Sequence, residues 1–188
     1  MEPLLFSFVA AGLGEWGDKT QLLVIALAAR YGRPLPILAG VLVAALANSL
    51  LASFGGALIH DTIVPRAATL LIALALIFAG VAGLIRPRRQ ASEGKSRAGP
   101  FLVAAAAFFV LEFGDKTQFL TFALTVHYDS FLLAAAGATA GIMASSVPAA
   151  VLGERLSEAV PLRPIRMTLG ALFLAIGIVL ALKALELL

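Results

Sequence analysis

Residues 14–21 read GEWGDKTQ and residues 111–118 read LEFGDKTQ. Each octet sets two carboxylates and an ammonium group into a run of Leu, Val, Ala and Phe: Glu15, Asp18 and Lys19 in the first, Glu112, Asp115 and Lys116 in the second. On one helix, residues three and four apart share a face, so each set is expected to form a stripe. Lipid cannot host that stripe, since a charge at a helix centre costs at least about 2.5–3.5 kcal/mol on insertion scales. Both stripes should therefore turn inward and face each other. Four carboxylates against two ammonium groups leave a net −2 if all are ionised, which one divalent cation neutralises. Thr20, Gln21, Thr117 and Gln118 add hydroxyl and amide oxygens to this candidate metal-ligand set. Oxygen donors without Cys suit hard cations such as Mg²⁺, Ca²⁺ or Mn²⁺ rather than zinc or copper. Crowded and desolvated, the same carboxylates suit carrying protons once the metal leaves. Lys19 and Lys116 have no lone pair to offer, so charge balance or gating is their expected part. Gly14, Gly17 and Gly114 permit close approach or local unwinding around the charges.

Secondary candidates lie in the second and fifth apolar segments and one turn beyond the second octet. Asn48 and Ser49 correspond to Ser145 and Ser146, and these four could supply oxygen ligands or hydrogen bonds between helices. Thr121 follows Thr117 by one turn, while its counterpart is Val24. His60 and His127 fall between apolar segments and read as solvated.

The elements that position these groups follow from composition. Of 188 residues, 61% are hydrophobic and 13% charged, with mean hydropathy +0.99. This describes an all-α integral membrane protein, with no disulfide and no nucleic-acid partner. Six apolar segments, 4–29, 35–59, 67–85, 100–126, 131–152 and 165–187, are long enough to cross a bilayer, which needs about 20 helical residues. The first begins MEPLLF, without a basic leader, and reads as a retained span. An offset of 97 residues superposes Glu15 on Glu112, Tyr31 on Tyr128, Gly40 on Gly137, Gly56 on Gly153 and Gly80 on Gly177. The chain thus reads as a three-helix repeat over 1–86, a basic linker over 87–99 and a second three-helix repeat over 100–188. Three spans per repeat give the second half inverted topology, with the candidate site near the midplane where the repeats meet. Ten Lys or Arg residues fall on the side of the linker and two on the other. The linker is therefore expected in the cytoplasm, and both termini outside.

The two E-φ-G-D-K-T motifs resemble the duplicated signature of the UPF0016 (Gdt1-like) family, and the resemblance spans nearly the whole chain. It implies transport of Mn²⁺ or Ca²⁺, with proton antiport, and gives Glu15, Asp18, Glu112 and Asp115 the handling of the cation, with Lys19, Thr20, Lys116 and Thr117 completing the motifs. The short chain is similar to bacterial members, which implies a bacterial inner (plasma) membrane location and, by analogy with bacterial exporters, Mn²⁺ as the main substrate. Two other functions fit the residues alone: a passive divalent-cation channel, or a membrane scaffold held by structural ion pairs. Neither a G-x-x-x-x-G-K-[ST] loop nor an H-E-x-x-H pair occurs, so no enzyme and no cofactor are expected. The sequence sets no oligomeric state.

Overall fold

A computed structural model describes residues 1–85 and 98–187. Most of the linker expected at 87–99 lies outside the described residues. The described chain is helical: α1 (Glu2–Glu15), α2 (Lys19–Tyr31), α3 (Pro34–Ile59), α4 (Pro65–Leu84), α5 (Pro100–Glu112), α6 (Lys116–Tyr128), α7 (Phe131–Leu152), α8 (Glu154–Ala159) and α9 (Leu162–Ala184), with a 3₁₀ turn at His60–Thr62. Proline stands in the first turn of α3, α4 and α5, where its missing N–H removes nothing from the helix. Gly32, with φ +61°, closes α2 in the left-handed conformation.

Four helices are long and apolar enough to cross a membrane: α3 with its 3₁₀ turn, α4, α7 and α9. Here the structure departs from the six single spans expected. The segments 4–29 and 100–126 are not continuous helices; each is divided at its motif into two helices of 13 or 14 residues. A helix of that length rises only about 20 Å, so neither half spans the hydrocarbon alone. Between the apolar segments 131–152 and 165–187 the chain folds into the short α8.

Lipid tails are as apolar as leucine, so helices in a bilayer associate through close packing rather than hydrophobic burial. Glycines provide it here. A Cβ on Gly80 would lie 2.6 Å from the Leu174 amide, joining α4 to α9; one on Gly141 would lie 2.7 Å from the Gly12 amide, joining α7 to α1. Large apolar side chains such as Leu35, Phe54, Leu58, Val110 and Leu132 point outward, as a lipid-facing surface requires. The α4–α9 pair packs on α6, while α3 and α7 flank the four short helices. Phe6 stacks on Tyr128 at 5.8 Å, and Arg66 donates to the Ala184 carbonyl and pairs with Glu186 at 2.9 Å. The start of α1 and the end of α9 therefore lie together with the α3–α4 and α6–α7 connections. The molecule is an all-helical, multi-pass membrane protein.

Gly17 and Gly114 both hold φ +73°, yet their surroundings differ. A Cβ on Gly17 would meet the Leu162 carbonyl oxygen at 2.6 Å and Arg166 Cβ at 3.0 Å; one on Gly114 would meet nothing within 4 Å. Gly114→Ala should therefore lose only the roughly 1–2 kcal/mol of a left-handed side chain, and Gly17→Ala clearly more. Thermal melts in detergent check this, and equal losses would refute the difference in packing.

Candidate functional site

The two motifs break their helices in the same way. Trp16 is extended (φ −67°, ψ 121°), Gly17 is left-handed, and Asp18 (φ −83°, ψ 172°) caps α2. Phe113 (−62°, 120°), Gly114 and Asp115 (−84°, 173°) repeat the course before α6. Each break is closed by the aspartate amide donating to the glutamate carbonyl, Asp18 to Glu15 at 3.2 Å and Asp115 to Glu112 at 3.0 Å. A broken helix also leaves amides without intrahelical partners. Gln21 Oε1 accepts the Gly17 N–H at 2.8 Å, and Gln118 Oε1 accepts the Gly114 N–H at 2.6 Å. Their amide nitrogens reach across to the flanking helices, Gln21 to the Ser145 carbonyl (2.9 Å) and Gln118 to Asn48 (3.4 Å). The two glutamines thus brace the breaks, with their oxygens already engaged.

The motifs face each other, and their shortest ion pairs run between the halves. The Lys19 ammonium lies 3.1 Å from Asp115, and the Lys116 ammonium donates to Asp18. Under the 97-residue offset each of these pairs becomes the other. Their environments are unequal: Lys19 is 30% exposed, whereas Lys116 is buried and also lies 3.6 Å from Glu15 and 3.8 Å from Asp115. Among the described residues, no three acidic or histidine side chains form a group able to hold a metal ion. Lys116 stands among the carboxylates that the sequence suggests would converge on one.

The two glutamates differ more sharply. Glu15 accepts from Thr20, and from Thr117 at 2.6 Å, so both motif threonines serve it. Glu112 is equally buried, and neither of its carboxyl oxygens has a hydrogen-bond partner. Asn48, Ser49, Thr117, Gln118, Thr121 and Ile142 close around it without room for a water molecule. A buried polar group without a partner is costly, and a cation or a proton at this place would supply one. The secondary candidates divide accordingly: Asn48, Ser49 and Thr121 gather at Glu112, Ser145 receives Gln21 through its carbonyl, and Ser146 is buried beside it in α7.

The second break is also the more open one. A cavity of about 740 Å³, walled by Leu51, Phe78, Phe113, Phe119 and Phe122, reaches Gly114, Asp115 and Gln118. The first break is covered by Leu162 and Arg166. Charge pattern alone groups Arg166 with the loop cations, but it is 5% exposed in α9 and donates to the Ile85 carbonyl at 2.6 Å. His60 likewise departs from the solvated reading: its Nδ1 lies 2.7 Å from the Val126 carbonyl oxygen and so carries the proton.

The family described as "Divalent cation/proton antiporter GDT1" matches residues 3–91 and 100–187, one stretch in each half. The chain belongs to the GDT1 family. It is 37% identical over 184 residues to a protein of Vibrio cholerae serotype O1 (strain ATCC 39541 / Classical Ogawa 395 / O395) named "Putative manganese exporter", covering 96% of this chain and 91% of that one. No solved structure matches. The family is one of transporters rather than enzymes, and the resemblance carried by the duplicated motif is thereby confirmed.

Removing one member of a buried ion cluster leaves charge uncompensated, at roughly 3–5 kcal/mol, whereas an exposed pair contributes about 1 kcal/mol or less. Lys116→Met should therefore lower the unfolding midpoint in detergent far more than Lys19→Met, and adding Asp18→Asn should recover part of the loss. Similar small losses for both lysines would contradict the unequal burial.

Proposed function

We propose that this chain exports divalent cations, Mn²⁺ foremost and Ca²⁺ as the alternative, in exchange for H⁺, through a midplane site shared by its two motifs. The observation that carries the reading is the exchange of Lys19–Asp115 and Lys116–Asp18 under the repeat offset, beside a buried Glu112 with both oxygens unmet. A scaffold of structural ion pairs has no use for that bare carboxyl. Membership of a cation/proton antiporter family and the name of the Vibrio relative add weight to the ion and to the direction of transport.

In this reading the chain crosses the membrane six times as two inverted three-helix repeats, 1–86 and 100–188. Each motif-bearing crossing consists of two half-helices, as in transporters whose substrates bind at helix breaks near the midplane. Both ends then face outside a bacterial inner membrane, and the basic 87–99 stretch faces the cytoplasm. Glu15, Asp18, Glu112 and Asp115 take the cation, with Thr20 and Thr117 assisting. Gln21 and Gln118 hold the breaks in shape. In the arrangement described, the Lys116 ammonium occupies the place of a cation among the acids, so entry of the metal requires it to withdraw.

Liposomes containing the protein would be assayed for Mn²⁺ and Ca²⁺ flux with and without a pH gradient. Saturable flux that follows the gradient is expected of the wild type, with losses of about 100-fold or more in Asp18→Asn, Asp115→Asn and Glu112→Gln, as when a charged ligand is removed from a buried site. Flux indifferent to the gradient would remove the proton half of the proposal. Undiminished flux in the variants would move the site elsewhere.

A further inference from the structure

Beyond Glu112, the face of α6 toward α3 carries a line of hydroxyls at one-turn spacing: Thr117, Thr121 and Thr125. Ser49 and Ser53, one turn apart on α3, lie on the same seam. All five are buried, at 3% exposure or less. The Thr121 hydroxyl donates to the Thr117 carbonyl at 2.8 Å, and that of Thr125 to the Thr121 carbonyl at 2.9 Å; Thr125 Oγ1 lies 3.1 Å from Ser53 Oγ. Once a hydroxyl's only hydrogen is given to its own helix, what it presents to a neighbour is lone pairs. Thr121 and Thr125 therefore turn oxygen acceptors to the seam, which starts where Asn48, Ser49 and Thr121 gather beside Glu112. One turn past Thr125 and two past Ser53 it reaches the end of the molecule, where His60 meets the Val126 carbonyl and lies 3.9 Å from Asp129.

The other half of the molecule lacks this feature. At the repeat offset, Thr121 becomes Val24, Thr125 becomes Ala28 and Ser53 becomes Ala150, all of them buried. Thr20 and Ser146 keep hydroxyls where Thr117 and Ser49 stand, but at the other three positions the corresponding seam is closed by aliphatic groups, so those three hydroxyls are not something this fold needs to join its helices. The hydroxyl seam is itself shut: a Cβ on Gly56 would lie 2.7 Å from the Phe122 carbonyl oxygen and 2.8 Å from Thr125 Cβ.

We infer that the α3–α6 seam, with Ser49 and Ser53 facing Thr121 and Thr125, is the leg of the pathway along which a partly dehydrated divalent cation passes between Glu112 and the end of the molecule marked by His60 and Asp129. The inference rests on the transport reading above. Hydroxyl oxygens replace part of the water shell as α3 and α6 part, and Thr121 and Thr125, with their hydrogens engaged within α6, suit a cation better than an anion. These residues line the route; the holding of the ion stays with the motif acids.

The test separates passage from binding. Trp16 is the sole tryptophan and adjoins Glu15, so quenching of its fluorescence by Mn²⁺ reports occupancy of the motif site independently of flux. Thr121→Val and Thr125→Val keep side-chain shape and remove the oxygen, whereas Thr121→Ser and Thr125→Ser keep the oxygen. The expected result is initial Mn²⁺ flux in liposomes lowered roughly tenfold in each valine variant and restored in the serine variants, with Mn²⁺ quenching unchanged in the two Thr125 variants. Wild-type flux in the valine variants would overturn the inference while leaving the transport reading intact. Serine variants as slow as the valine ones, or slowing matched by a fall in the melting midpoint, would likewise overturn it, showing interhelical packing only. Wild-type protein that melts cooperatively yet neither quenches with Mn²⁺ nor transports it would overturn both.

Discussion

One buried ammonium group organises this molecule. Lys116 is within ion-pair distance of Glu15, Asp18 and Asp115, inside a protein whose outer surface is built for lipid. With no water to screen them, so many carboxylates cannot be kept together without a cation. The helix breaks, the glutamine braces and the crossing of the ion pairs all follow from supplying that cation from the opposite motif. A lysine on the same helix as its acids would leave each half self-sufficient. A lysine reaching across makes each half incomplete without the other, and binds the two breaks into one site.

The two copies of the motif have nearly the same sequence and quite different surroundings. Both threonines turn to Glu15, and none to Glu112; one break lies under Leu162 and Arg166, while the other faces an aromatic-walled cavity. An arrangement of related halves in unlike conformations is what alternation around a shared site requires, since exchanging the two sets of surroundings generates a second state without new contacts having to be invented.

Much of this is legible in the residues. The duplicated octet, the 97-residue offset and the hydropathy lead to a helical membrane protein with an acidic, oxygen-rich centre, and the motifs carry the family. The helix breaks are not legible from periodicity, because one long apolar helix and two short ones in line present the same pattern; only Gly17 and Gly114 hint at them. Which glutamate is left bare cannot be read from two matching motifs, because Thr117 bonds across the halves rather than to the acid of its own motif. Arg166 is hidden among loop cations by its position just after a proline, although its helix begins earlier, at Leu162. The hydroxyl seam is visible in principle as Thr117, Thr121 and Thr125 at fourfold spacing in an apolar helix, but its partner serines declare themselves only once α3 is laid beside α6.

The aliphatic seam has an electrical consequence. In an energised membrane, voltage falls mainly where the material is least polarisable. Val24, Ala28 and Ala150 bring one half of the molecule nearer to such a layer, where the other half has the hydroxyls of Thr121, Thr125 and Ser53. The field should concentrate across the aliphatic side, at about 2.3 kcal/mol per elementary charge for each 100 mV. On the transport reading proposed above, an ion crossing that layer would meet more of the membrane potential than one crossing the hydroxyl side. On that reading the electrical work of a cycle would be done mainly on one side of Glu112, with the aliphatic seam as the insulator.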